Sequence, residues 1–128
     1  MTPKRYLKRY FYISREMDAI LIKLAAWKKR EELLQSADPD GEELIQTRTY
    51  IRQSVERLER YCAELESAEE RILAMISALD TPQERQVLTY RYIAGMRWEG
   101  ISAKMHYAKD TLYNWHKKAL DHLKFTVN

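Results

Sequence analysis

Apolar residues recur along the first part of the chain at alternating spacings of four and three. The series is Tyr6, Tyr10, Ile13, Met17, Ile20, Leu24, Trp27 and Leu34, with Glu31 as its one interruption. Such a heptad seam is typical of a helix that packs along another helix. It predicts a first long helix from about Lys4 to Ser36, which ends before Pro39 and Gly41 break the pattern.

A second series with the same spacing predicts a second long helix over residues 42–79. Its members are Ile51, Val55, Leu58, Cys62, Leu65, Ile72, Ile76 and Leu79, and Glu69 interrupts it. Two consecutive helices with matching seams and a short connection favour an antiparallel hairpin. A further set of large residues lies off this seam and favours a homodimer: Tyr50, Tyr61, Leu73 and Met75.

The two charged interruptions predict the register of the hairpin. If Leu34 meets Leu44, each glutamate in a seam falls near an arginine of the other helix. Exposed ion pairs of this kind are worth less than about 1 kcal/mol, so they select register more than they stabilise. The expected pairs are Trp27 with Ile51, Ile20 with Leu58, Ile13 with Leu65, Glu31 with Arg48, and Glu69 with Arg9.

The single cysteine of the chain restricts the possible chemistry. With Cys62 alone, neither an internal disulfide nor a Cys-rich zinc site can form. Its place in the second apolar series predicts a small buried hydrophobic residue. The three histidines lack acids or cysteines at ligand spacing, and the charged glutamate pairs lack an apolar pocket, so we expect no metal, no cofactor, no small-molecule substrate and no enzymatic activity.

The last third of the chain predicts three shorter helices. Thr81, Pro82 and Glu84 form a capping box with proline in the first helical position, and Gly95 is a typical stop signal. A short helix from Trp98 to Met105 follows. A three-residue break at 106–108 then precedes a final helix from about Lys109 to Lys124, and this break has the length that a helix-turn-helix requires.

The two faces of this predicted helix-turn-helix have different compositions. We expect its core to contain Trp98, Ile101, Met105, Leu112, His116, Ala119 and Leu120. The opposite face of the last helix would then present Lys109, Asp110, Tyr113, Asn114, Lys117 and Lys118. These positions enter the major groove in a helix-turn-helix, where asparagine can pair with adenine and lysine can reach guanine or phosphate. An ordinary solvated polar face is the alternative.

Charge is segregated along the chain, although the net charge is only +3. Residues 1–30 hold nine Lys/Arg against two Asp/Glu, residues 31–80 five against thirteen, and residues 81–128 eight against four. The basic start, "KRYLKRYFY", could stack on nucleic acid or lie on a membrane. We favour a simpler interpretation, in which Tyr6 and Tyr10 belong to the seam while the adjacent bases face the acidic second helix; those bases are Lys4, Arg5, Lys8 and Arg9.

The chain lacks an apolar run long enough to cross a bilayer and lacks the features of a signal peptide, so we expect a cytoplasmic protein without a membrane partner.

The stretch "LDTPQERQVLTYRYIAGMRWEGISAKMHYAKDTLYNWHKKALDHL" resembles region 4 of sigma-70-type factors. More closely, it is similar to the ArpU-type late transcription regulators of Gram-positive prophages, through "QVLTYRY", "WEGISAKM", the "HY" turn and His116 followed by Ala119 and Leu120. The resemblance covers roughly residues 78–124. This chain departs from the pattern at Arg97 and Ala108, where a Ser or Thr helix cap is usual.

Together these features predict an all-α protein with two domains. Residues 1–79 would form a long antiparallel helical hairpin for dimerisation or partner binding, and residues 80–128 a sigma region 4-like helix-turn-helix unit. The resemblance implies a phage transcription regulator that binds double-stranded DNA, alone or with RNA polymerase. Two alternatives stay open: the DNA-recognition small subunit of a phage packaging terminase, and a helical polymerase-interacting protein that does not bind DNA.

Overall fold

The computed structural model describes residues 1–126, and in this part of the chain it contains helices and no strand. The helices are α1 (Pro3–Ala37), α2 (Glu42–Ser77), α3 (Pro82–Leu88), which continues into a π-helical turn (Thr89–Ile93), α4 (Trp98–Met105) and α5 (Lys109–His122). The predicted all-α class with a long hairpin of α1 and α2 is confirmed. None of the helices described is both long and apolar enough to cross a membrane.

The chain divides into two compact units, and one of them is built from two segments that are separated in the sequence. One unit is the contiguous segment Ile13–Leu65, and the other joins Met1–Tyr12 to Glu66–Asn128. The first turns of α1 and the last turns of α2 are therefore grouped with the C-terminal helices. The division into a domain of residues 1–79 and a domain of residues 80–128 stays a prediction.

The contiguous unit holds the two long helices in the predicted register. Glu31 forms an ion pair with Arg48 across the hairpin, with 3.4 Å between Oε2 and Nε. The rings of Trp27 and Tyr50 lie 5.2 Å apart, one residue from the expected partner Ile51. Leu44 is buried where α2 begins. The ion pair between Glu31 and Arg48 therefore forms beside the seam at the position that the sequence predicted.

The buried face of α2 differs from the predicted series. Cys62 is exposed, so the prediction that it is a buried hydrophobic residue is wrong. Glu69 is also exposed and interrupts nothing. The main series of buried and half-buried positions instead has unbroken spacings of three and four: Leu44, Thr47, Ile51, Ser54, Leu58, Tyr61, Leu65, Ala68, Ile72, Met75 and Leu79. Two other members of the predicted series lie on its flank, Val55 half-buried and Ile76 buried.

The physical reason for this difference is the size and polarity of the residues on the true seam. Ser54 and Ala68 carry little apolar surface, and the buried Thr47 satisfies its hydroxyl by donating to the Glu43 carbonyl at 2.8 Å. A search for large apolar residues therefore passes over them and selects their neighbours. Tyr61 and Met75, expected off the seam, belong to it.

The second unit has an apolar centre formed by the C-terminal helices. Val87, Ile101 and Leu112 are fully buried, and the partly buried residues packed against them are Tyr90, Met96, Trp98, Met105 and Trp115. Thr81 caps α3 as predicted, since its hydroxyl accepts the Glu84 N–H at 3.3 Å. Helix α5 packs against α3 as well as α4, and this packing fixes which face of α5 is left to solvent.

Candidate nucleic-acid interface

The break between α4 and α5 is a tight turn centred on His106. This residue lies in the predicted break, has a left-handed backbone with φ 61° and ψ 38°, and its N–H donates to the Ser102 carbonyl at 2.9 Å. The Ser102 hydroxyl also donates to the Tyr107 carbonyl at 2.6 Å. Histidine tolerates this conformation less readily than glycine, so the two hydrogen bonds help to hold the turn.

The predicted core of the helix-turn-helix lies inside the unit. Ile101, Leu112, Ala119 and Leu120 are buried, whereas Trp98, Met105 and His116 are half-buried. Trp115, which was not predicted to belong to this core, packs against it, and its ring meets Tyr107 edge-on with centroids 4.7 Å apart. Its position three residues after Leu112, on the flank of the apolar face, was the signal that could have identified it.

The opposite face of α5 is exposed along its length. It carries all six predicted DNA-contacting residues: Lys109, Asp110, Tyr113, Asn114, Lys117 and Lys118. Tyr113 is 42% exposed, and its ring packs edge-on against Trp98 with centroids 5.0 Å apart. One side of that ring is thereby fixed in position while the rest faces solvent. The arrangement presents cations, an amide and an aromatic ring on one helical surface.

An ion pair joins the first turn of this face to α4. Lys109 Nζ lies 2.8 Å from Glu99 Oε1. The hydrogen bond to Glu99 raises the pKa of Lys109, and the same hydrogen bond lowers the pKa of Glu99. Both side chains are exposed, so the pair is open to exchange for a competing anion.

His116 connects the buried and exposed sides of α5. Its Nε2 lies 2.7 Å from the Tyr92 hydroxyl, the two rings are stacked, and the Trp98 ring meets it edge-on at 5.0 Å. Burial, followed by the charges of Arg91, Lys8 and Lys4, lowers the pKa of His116 from 6.5 to about 4. Burial also raises the pKa of Tyr92. At neutral pH the imidazole and the phenol hydroxyl that share this hydrogen bond are therefore both uncharged.

The start of α1 belongs to the same unit and packs close to this group. Phe11 meets the Tyr92 ring edge-on with centroids 5.6 Å apart. The Arg91 guanidinium lies over Phe11 at 4.8 Å and over Trp98 at 5.0 Å. The charges of Lys4 and Lys8 act on His116 of α5. That the bases of this segment face the acidic second helix stays a prediction.

The tyrosines at the start of α1 point to α2, as the seam predicted. Tyr6 packs edge-on against Phe125 at 5.9 Å, and the Arg71 guanidinium of α2 lies 5.1 Å from the Tyr6 ring. Tyr10 is buried, and burial followed by the charge of Glu69 raises its pKa. The register of the hairpin seam thus extends to the level where Glu69 was expected to meet Arg9.

A buried carboxylate ties the end of α5 to the start of α3. Glu84 is 5% exposed, and its Oε1 lies 3.0 Å from His122 Nδ1. The helix ends at His122, two residues earlier than predicted.

Among the residues that the structure describes, no three His, Cys, Asp or Glu side chains are grouped so that they could hold a metal ion.

The profile of a family described as "Protein of unknown function (DUF1492)" matches residues 48–124. The chain belongs to this family, and the match includes most of α2 and all of the C-terminal helices. Comparison with curated proteins and with solved structures gave no significant match.

Proposed function

We propose that this member of the family is a sequence-specific DNA-binding transcription regulator of a phage or prophage, acting in the cytoplasm. In this proposal α4 and α5 form the helix-turn-helix, and α5 enters the major groove. The observation that carries the proposal is the exposed face of α5, which begins in its first turn and holds Lys109, Tyr113, Asn114 and Lys117 while Leu112 is fully buried on the other side.

The chemistry of this face fits the edges of bases and the phosphates that flank them. The Asn114 side chain carries both a donor and an acceptor, which together match the major-groove edge of adenine. Lys117, one turn after Tyr113, has the reach to bind a phosphate. Asp110 accepts hydrogen bonds only and therefore suits the amino group of cytosine. A major groove about 12 Å wide admits an α-helix of this kind.

The experiment that tests this proposal compares two variants of α5 on a selected duplex and on random duplex. Sites are first selected by the wild-type protein from a random DNA pool. We expect Asn114→Ala to weaken binding to the selected site by about 1–3 kcal/mol and to leave binding to random DNA nearly unchanged. We expect Lys117→Ala to weaken both, because a phosphate contact carries no sequence information.

A matched control removes the same charge from the other unit. Lys28 is exposed on α1 within the Ile13–Leu65 unit, and Lys28→Ala should leave both affinities unchanged. If the folded Asn114 and Lys117 variants bind both duplexes as the wild type does, α5 is not the recognition helix. Absence of wild-type binding even at low salt would favour the polymerase-interacting alternative, since non-specific binding is strongest there.

The partner that we propose for the hairpin is a second copy of this chain. Beside its buried seam, α1 has an exposed stripe with the same heptad spacing: Ala19, Ile22, Ala26, Lys29 and Leu33. Ile22 is 73% exposed and Leu33 is 65% exposed. The two alanines of the stripe, Ala19 and Ala26, are small enough to permit close approach of another helix, and a two-fold axis would supply the same stripe from the second copy.

Sedimentation measurements test this dimer. Ile22→Lys with Leu33→Lys should convert the dimer to a monomer, because charged side chains would then lie in the interface. Leu21→Lys is the matched control, since Leu21 is half exposed on another side of α1. A wild-type protein that sediments as a monomer would contradict the proposed dimer. Ring-shaped oligomers in native mass spectrometry would favour the terminase alternative.

A further inference from the structure

The first turns of α1 place two lysines close enough to α5 for their charges to act on His116. Phe11 contacts Tyr92, which stacks on His116, so this face of α1 is turned to α5. Lys8 and Lys4 precede Phe11 by three and seven residues and therefore share its face. Both lysines are exposed, and their charges reach His116.

The position of His116 on α5 connects these lysines to the proposed DNA-binding face. His116 follows Tyr113 by one turn and directly precedes Lys117, so it lies at the edge of that face. The rings of His116 and Tyr113 also pack against the same residue, Trp98. A phosphate backbone that passes this edge would meet the start of α1 next.

The local electrostatics favour an anion at this place. The charges that act on His116 come from Arg91, Lys8 and Lys4, and all three are cations. Cations gathered on one surface create a positive potential that attracts a polyanion. Two acidic residues of this unit contact other side chains: Glu99 contacts Lys109, and Glu84 contacts His122.

We propose that Lys4 and Lys8 bind phosphates of duplex DNA next to the segment of major groove that α5 enters. The proposal rests on the DNA-binding function proposed above, and it gives the basic start of the chain a role that the hairpin seam does not explain. These contacts would add affinity without sequence preference, because phosphates are the same at every site. One compact unit would then carry both the recognition helix and a separate pair of phosphate-binding lysines, Lys4 and Lys8, which we call the clamp.

The test measures how DNA affinity depends on salt. For Lys4→Gln with Lys8→Gln, we expect the slope of log K against log salt concentration to become shallower by about two units, one for each lost phosphate contact. Affinity for selected and random duplex should fall by the same factor, about 10- to 100-fold at 0.1 M salt. Lys4→Arg with Lys8→Arg should keep the wild-type slope.

The chain offers a matched control on another face of the same helix. By the helical period, Arg5 and Arg9 lie on another side of α1 from Phe11, and the Arg9 guanidinium lies 6.0 Å from the centre of the Tyr12 ring. Arg5→Gln with Arg9→Gln removes the same net charge from the same segment and should leave the slope unchanged. Equal slopes for the two double variants would overturn the proposal, because the effect would then be one of total charge.

A second measurement uses the unmodified protein and so does not depend on the folding of a variant. Lysines are acetylated in the presence and absence of duplex, and the modified positions are read by mass spectrometry. We expect DNA to protect Lys4 and Lys8 and to leave Lys28 reactive. If Lys117 is protected while Lys4 and Lys8 are not, the clamp is refuted and the recognition helix stands. If the wild type binds no duplex, both proposals fail together.

Discussion

Lowering the pH from neutrality to about 4 is expected to destabilise the folded protein through His116. Burial, and then the charges of Arg91, Lys8 and Lys4, lower the pKa of this side chain from 6.5 to about 4. As the pH falls below 6.5, the unfolded chain therefore binds a proton that the folded protein does not. The free energy of unfolding that depends on His116 is fully present above pH 6.5 and is lost as the pH falls through about 4.

The size of this effect follows from the two pKa values. They are about 2.5 pH units apart, and at about 1.36 kcal/mol for each unit the upper limit is about 3.4 kcal/mol. The ring is only half-buried, with Tyr92 and Trp98 on two sides. Solvent screening therefore reduces the expected loss to about 1–2 kcal/mol.

The assay is urea unfolding followed by circular dichroism at pH 7 and at pH 4, with His116→Gln as the reference. Glutamine does not titrate, and its side-chain amide, which has both a donor and an acceptor, can hydrogen-bond to the Tyr92 hydroxyl in place of the imidazole. Subtracting the variant removes the contributions of the many carboxylates that titrate in the same range. We expect the wild type to lose about 1–2 kcal/mol more than the variant over this interval.

Equal losses in the two proteins would refute this reasoning. An NMR titration of His116 checks it directly, because the imidazole should gain its proton near pH 4 instead of near 6.5. The same titration reports the position of the proposed clamp. Lys4→Gln with Lys8→Gln should raise the pKa of His116, whereas Arg5→Gln with Arg9→Gln should not.

Two further predictions concern packing and are checked by the same urea unfolding at neutral pH. Tyr61→Ala should cost about 1–3 kcal/mol because Tyr61 lies on the true seam of α2, whereas Cys62→Ala should change stability by less than about 0.5 kcal/mol; the reverse order would restore the seam first predicted. Leu112→Ala should cost about 2–5 kcal/mol by leaving a cavity at a fully buried position, and Asn114→Ala should be nearly neutral. A large loss for Asn114→Ala would mean that this side chain is not on a solvent face.

The fold class was predictable because strong local signals agree with one another. Pro39 and Gly41 lie in the connection between the two long helices, and Thr81 with Pro82 begins α3 as predicted. The break at residues 106–108 was also predicted, and it contains the left-handed turn at His106. Such signals act within a few residues, so one sequence contains all the information that they need.

The phase of the seam in α2 was less predictable for a physical reason. The seam of α2 includes Ser54 and Ala68, which hydrophobicity alone does not identify. The larger apolar neighbour Val55 is then assigned to the seam in place of Ser54. A spacing that requires no interruption would have been the better criterion, because Thr47, Ser54, Tyr61 and Ala68 complete the repeat without Glu69.

The sequence predicted which residues of α5 are exposed, but it did not predict which residues from other segments pack near the candidate site. Burial of Leu112 and Leu120 determines which side of α5 is exposed, and the helical period then gives Asn114 and Lys117. The packing of Phe11 against Tyr92 joins residues far apart in sequence, and no local pattern encodes it.

The second unit is built from two separate segments of the chain, and this has a consequence for how the protein folds during synthesis. Its two parts, Met1–Tyr12 and Glu66–Asn128, are separated by the contiguous segment Ile13–Leu65. Bringing such parts together as ends of a flexible loop would cost conformational entropy that grows with the length of the loop. A helical hairpin formed early from local contacts shortens that loop to the turn between α1 and α2. Substitutions that slow formation of the hairpin turn should therefore delay closure of the C-terminal helices onto the start of α1, although they lie far from those helices in sequence.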